Sequence, residues 1–158
     1  MNFKQRTLIQ IADMICENLE DEKEFFRYRS SSYLTEFFQD CDTDYEHDGS
    51  TRKYWVAETL EKILAEPHPN ANIPPESFSR VIKTLMDQSD GVNDEKERPG
   101  ALALLNEALA RQGFEAFYAP DKQCYLRHLP TNTIARASPN PHRPFSEAEL
   151  AQREQLTT

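Results

Sequence analysis

The hydrophobic period of this chain changes once, at Gly113, and that change sets the order of its parts. Before it, apolar residues recur three and four apart, as in Leu8, Ile11, Ala12 and Ile15, the spacing of one face of a helix. After it, Phe114–Ala119 and Cys124–Leu129 are short, aromatic-rich runs separated by Pro120-Asp121-Lys122-Gln123, the pattern of a β-hairpin. The expected fold is α+β and mostly helical, with about five helices followed by one C-terminal β-hairpin in a winged-helix-like order. Two strands alone are marginal in water, so the helices must back them.

The helices follow from stripes and stops. Phe3–Leu19 reads as the first, with Glu20-Asp21-Glu22-Lys23-Glu24 as a solvated run behind it. Leu34, Phe37 and Phe38 predict a short second helix through Asp40, preceded by three serines that offer caps but no capping box. A third is expected to start near Ser50, bury Val56, Leu60, Ile63 and Leu64, and stop at Pro67, with Trp55 anchoring the core. Phe78, Val81, Ile82, Leu85 and Met86 define a fourth, which Gly91 ends or follows. Val92–Arg98 reads as an exposed loop, and Pro99 opens a fifth helix with Leu102, Leu105, Ala108 and Leu109 on one side and Gly113 at its C-terminal cap. Thr131–Arg143 reads as a loop because of Pro130, Pro139 and Pro141. Ser146-Glu147-Ala148-Glu149 has capping-box spacing with Phe145 and Leu150 as a staple. The division expected is a folded domain over 1–135, then a Pro-rich linker and the start of a helix over 136–158 leading into a further domain.

Composition narrows the partners. The chain carries 18 Lys and Arg against 27 Asp and Glu, a net charge of −9, which repels phosphate backbones at long range. The imbalance is uneven: Met1–Glu97 has 11 basic and 21 acidic residues, whereas Arg98–Arg143 has 6 basic and 3 acidic. Cys16, Cys41 and Cys124 are an odd set without paired spacing, which points to a reduced, cytoplasmic setting rather than a disulfide framework. No apolar run approaches the ~18 residues of a membrane span, and nothing at Met1–Arg6 reads as a signal peptide.

Polar chemistry concentrates in Asp40-Cys41-Asp42-Thr43-Asp44-Tyr45-Glu46-His47-Asp48-Gly49-Ser50-Thr51-Arg52, just before the single Trp, Trp55. Asp44, Glu46, Asp48 and Gly49 imitate the start of a calcium loop, but the twelfth position is Trp55 where a bidentate Glu is needed. The same acids with His47 supply a metallonuclease only if a second cluster completes the site, and Cys41 with His47, or Cys124 with His128, is at best half a zinc site. No glycine-supported nucleophile turn and, with only 4 glycines, no phosphate-cradling loop is present. The residues therefore predict no enzyme and no metal or other cofactor. His47, Asp48, Ser50, Thr51, Arg52 and Trp55 form the candidate ligand or partner site, with a purely structural duty, capping helix three and pinning the turn against Phe37, Phe38 and Trp55, as the other reading. A competing nucleic-acid function would use the basic half, chiefly Lys122 at the hairpin tip, Arg127 and Arg136, supported by Arg98, Arg111 and Arg143. Against it, the would-be recognition helix Ala101–Arg111 is poor in basic and amide side chains.

From Phe37-Phe38 through His47-Asp48-Gly49-Ser50-Thr51-Arg52-Lys53-Tyr54-Trp55-Val56, and again at Leu105-Asn106-Glu107-Ala108-Leu109 and the hairpin, the chain resembles an N-terminal domain of AbiJ-type abortive-infection proteins of bacteria. The likeness covers Phe25–Ile134, and its most specific piece is the His-Asp-Gly-Ser-Thr-Arg string. The resemblance implies a sensor or adaptor module of phage defence, placed ahead of a nuclease or TIR-like effector in cis and responding to a phage-derived or nucleic-acid trigger. It brings no catalytic residues with it.

Overall fold

The computed structural model describes residues 1–17, 25–88 and 95–135. Five α-helices come first: α1 Gln5–Cys16, α2 Ser31–Asp40, α3 Arg52–Leu64, α4 Glu76–Leu85 and α5 Arg98–Ala110, with a one-turn 3₁₀ helix, Glu95–Glu97, leading into α5. A three-stranded antiparallel meander follows, β1 Phe114–Tyr118, β2 Cys124–His128 and β3 Thr133–Ala135, in the order β1-β2-β3. The fold is α+β with the sheet after the helices, as the change of period predicts. Among the described residues no helix is long and apolar enough to cross a membrane.

Three boundaries differ from the sequence expectation. α1 stops at Cys16, where Glu17 takes a left-handed conformation with φ 57°; residues 18–24, including the acidic run, lie outside the described residues. The expected Val92–Arg98 loop is shorter, because Glu95–Glu97 already turn and Arg98 opens α5; Gly91 and 92–94 lie outside the description. Thr133–Ala135 is a strand rather than loop, pairing Ala135 with Leu126, Ile134 with Arg127 and Thr133 with His128. Pro130 precedes the left-handed turn at Asn132, φ 59°, so the proline interrupts the chain before the strand and not within it. Residues 136–158, which include Arg136, Arg143 and the Ser146 capping box, are not described.

Packing explains the order. Ile11 and Ile15 of α1 and Leu60 and Ile63 of α3 are fully buried, and these two helices make the most extensive helix pair in the fold. One face of the sheet turns Ala116, Cys124 and Leu126 inward, β1 resting on α5 and β2 on α4. The alternate residues Glu115, Phe117, Tyr125 and Arg127 form the other face.

The outer edge of β1 is occupied at its centre by a side chain. Asn106 of α5 donates from Nδ2 to the carbonyl of Ala116 at 3.0 Å and accepts the Ala116 N–H at 2.6 Å. The N–H and C=O of one strand residue point the same way, so at Ala116 Asn106 takes the place of a neighbouring strand on the outer edge of β1. At the join between α5 and β1, Gly113 has φ 80°, a conformation open to glycine at little cost. Its N–H bonds the Ala110 carbonyl at 3.1 Å and its carbonyl accepts the Leu129 N–H at 2.8 Å.

Candidate functional site

The acidic bend begins where α2 ends. Asp42 adopts φ 64°, its N–H reaching the Gln39 carbonyl at 2.9 Å, and Thr43 returns both its N–H (3.1 Å) and its hydroxyl (2.7 Å) to the Phe38 carbonyl. The last carbonyls of the helix are thus satisfied locally, with an Asp in the left-handed position more often held by Gly or Asn. The chain then runs back along α2, where the His47 N–H donates to Thr35 Oγ1 at 2.9 Å.

His47 is the hub. Its Nε2 lies 2.8 Å from the Ser50 carbonyl and its Nδ1 lies 2.5 Å from Ser31 Oγ. A carbonyl only accepts, so Nε2 carries the proton, and in the neutral ring Nδ1 accepts from the Ser31 hydroxyl. The imidazole also stands edge-on to Trp55, centroids 5.0 Å apart at 84°. Trp55 in turn meets Phe38 at 5.5 Å and 82°, a T-shaped contact that ties the bend to the core.

Asp48, Gly49 and Ser50 make the reversal. Asp48 Oδ1 accepts the Ser50 N–H at 2.9 Å and the Ser50 hydroxyl as well, while Gly49 has φ 85°. These bonds hold the exposed Asp48 carboxyl below its ordinary range. They also correct the expectation that Ser50 caps the next helix: its hydroxyl is already engaged two residues back. α3 opens at Arg52 after an exposed Thr51, with no side-chain cap bond and no acid in its first turn.

Arg52 leaves the bend altogether. Its Nη1 donates to the Cys16 carbonyl at 3.1 Å and the Arg29 carbonyl at 2.7 Å, and its guanidinium lies 4.7 Å from the Tyr28 ring centre. Arg29, only 5% exposed, donates to the Ile15 carbonyl at 3.0 Å and covers the Phe37 ring at 4.6 Å. Two guanidinium groups therefore serve the C-terminal carbonyls of α1, the favourable end for positive charge.

Of the six candidates, His47, Asp48, Ser50 and Trp55 come together, Arg52 is directed at α1, and Thr51 contributes backbone only, its carbonyl accepting the Trp55 N–H at 3.0 Å. Ser31, Thr35 and Arg29 belong to the same assembly and were missed, because serines ahead of a helix read as caps and their tie to His47 spans 16 positions.

Among the described residues no three His, Cys, Asp or Glu side chains gather where they could hold an ion. Cys41 is buried with its S–H directed at the Arg80 carbonyl, 3.9 Å away, and burial pushes its thiol up to about 12. Trp55, at the twelfth position of the calcium-like string, faces Phe38 and His47. In the basic half, Lys122 is exposed at the hairpin tip with φ 66°. Arg127 instead lies over Phe117 at 4.4 Å with Nε 4.0 Å from Glu115, an ion contact too long to be a hydrogen bond. Arg98 covers Tyr118 and Arg111 donates to Gln10. The exposed side of α5 is Ala103, Glu107 and Ala110.

No protein-family model, no curated protein and no solved structure matches this chain.

Proposed function

We propose that this chain is a non-catalytic sensor or adaptor module of a bacterial anti-phage, abortive-infection protein, acting in the cytoplasm on an effector domain, nuclease or TIR-like, joined in cis. The observation that carries this reading is where the polar groups of the bend go: His47, Asp48 and Ser50 bond one another and Ser31, while Arg52 bonds backbone carbonyls at the end of α1 and at Arg29. Their work is to hold a surface in shape. Three of the large apolar side chains left in water, Tyr28 at 59%, Tyr33 at 57% and Tyr54 at 59% exposed, belong to the segments this assembly orders. Tyrosine is the side chain most suited to protein recognition, combining a broad apolar ring with a polar tip and few rotamers to freeze. The trigger proposed is accordingly a phage-derived protein.

The test uses the full-length protein in a bacterial host challenged with a panel of phages. Tyr33→Ala with Tyr54→Ala is expected to abolish protection while the soluble protein keeps its thermal unfolding midpoint. Undiminished protection by the double variant contradicts the proposal, as does wild-type protein that protects against no phage. Labelled DNA and RNA titrated at low and high salt test the competing class. Binding that weakens with salt and with charge reversal at Lys122, Arg127 and Arg136 would move the function to nucleic acid.

A further inference from the structure

Ser31 and His47 meet in the geometry of a nucleophile and its base. Ser31 Oγ lies 2.5 Å from Nδ1, and Nε2–H of the same ring is held at 2.8 Å by the Ser50 carbonyl. That carbonyl is fixed by the Asp48 turn, whose Oδ1 takes the Ser50 N–H at 2.9 Å. Nucleophile, base and orienting acceptor are the three parts that activate a hydroxyl, and the Ser50 carbonyl fills the third place in the manner of a carboxylate, fixing the tautomer. Further contacts limit the ring's motion: its own backbone N–H on Thr35 Oγ1 at 2.9 Å and the edge-on Trp55 at 5.0 Å, so the pairing is held ready rather than formed on demand. Ser31 is exposed, open to an incoming electrophile. It is also the first residue of the 10-residue α2, where the helix's positive end favours a developing oxyanion.

We propose that Ser31 is a site of covalent acyl transfer, with His47 as its general base and activated carboxylic esters as the substrate class. The inference stands apart from the adaptor reading, because it requires one acyl group per chain and no turnover. In the step, Ser31 Oγ forms a bond to the acyl carbon as its proton passes to His47 Nδ1. The bond from that carbon to the leaving oxygen then breaks, and the leaving alkoxide or phenoxide departs with the electron pair, taking up the proton from Nδ1. Serine ester and free alcohol or phenol are the products, and the imidazole returns to its starting form.

The test is acetylation by p-nitrophenyl acetate, read by release of p-nitrophenol and by mass mapping of the modified peptide. Native protein is expected to acquire one acetyl group on Ser31, faster by on the order of 10²-fold than Ser30, Ser32 or Ser31 itself in urea-unfolded chain, the usual contribution of a positioned base. Ser31→Ala removes the label. His47→Ala slows it to the unfolded rate, and added imidazole restores acetylation at Ser31 above that at Ser30 and Ser32 by mass mapping, which a merely structural histidine would not allow. Label spread evenly over the three serines, label on Ser31 no faster than in the unfolded chain, or His47→Ala reacting at the native rate would each overturn the proposal. The comparison of native with unfolded chain needs no variant and decides the matter even if His47→Ala fails to fold.

Discussion

Asp48 and Arg52 are four positions apart and serve opposite ends of the joint. Asp48 accepts two hydrogens from Ser50 and its carboxyl is held below the ordinary value of 3.8. A depressed carboxyl contributes to the turn above its unfolded value, and that contribution is lost as pH falls through the lower, folded one. The expected result is an Asp48 side-chain carbon that titrates with a midpoint below 3.8, with the Ser50 amide resonance moving in step; a midpoint at or above that value would show the turn is not formed. Arg52 sets one nitrogen, Nη1, between the Cys16 and Arg29 carbonyls while its planar guanidinium lies over the Tyr28 ring, and a lysine lacks that flat face. Arg52→Lys should destabilise by about 1–2 kcal/mol in urea unfolding, and an unchanged midpoint would make the bridge ornamental. Neither partnership was legible in the sequence. Ser50 beside a helix start looks like a cap, and nothing in the string before Trp55 indicates that Arg52 reaches back 36 positions.

Elements were far more legible than partners. Each helix announces itself by a stripe, and the stripes are what the core buries: Leu34, Phe37 and Phe38 on α2, Val56, Leu60, Ile63 and Leu64 on α3, Phe78, Val81 and Ile82 on α4. β3 escaped because Thr-Ile-Ala shows no period over three residues, and its pairing depends on a neighbour that sequence does not display. Asn106 escaped for a related reason: an amide in mid-helix reads as a surface residue until the strand it closes is in view. Asn106→Ala leaves the Ala116 N–H and C=O without partners, so it should cost about 1–3 kcal/mol and expose a strand edge that promotes association. Thermal unfolding with light scattering checks both, and a variant as stable and monodisperse as wild type would remove the edge-closing role.

At the scale of the molecule, helices and sheet share a single apolar cluster that runs from Leu8 of α1 to Ala135 of β3. All three thiols are sealed in it, Cys16 pushed up to about 11 and Cys41 and Cys124 to about 12 by burial. They should ignore a thiol reagent at neutral pH and react together once urea unfolds the chain; rapid labelling of any one under native conditions would contradict a common core. The bend is held largely by polar bonds, at Thr35, Ser31, Asp48 and Ser50, and its role as a joint requires it to be as much a part of the fold as the helices it joins. Native-state hydrogen exchange at His47, Ser50 and Trp55 measures that most directly, since each of these amides donates within the joint, to Thr35, Asp48 and Thr51. Slow exchange is expected at all three, lost only with the unfolding of α2 and α3; exchange at the rate of an open loop, with those helices still protected, would contradict a structural joint.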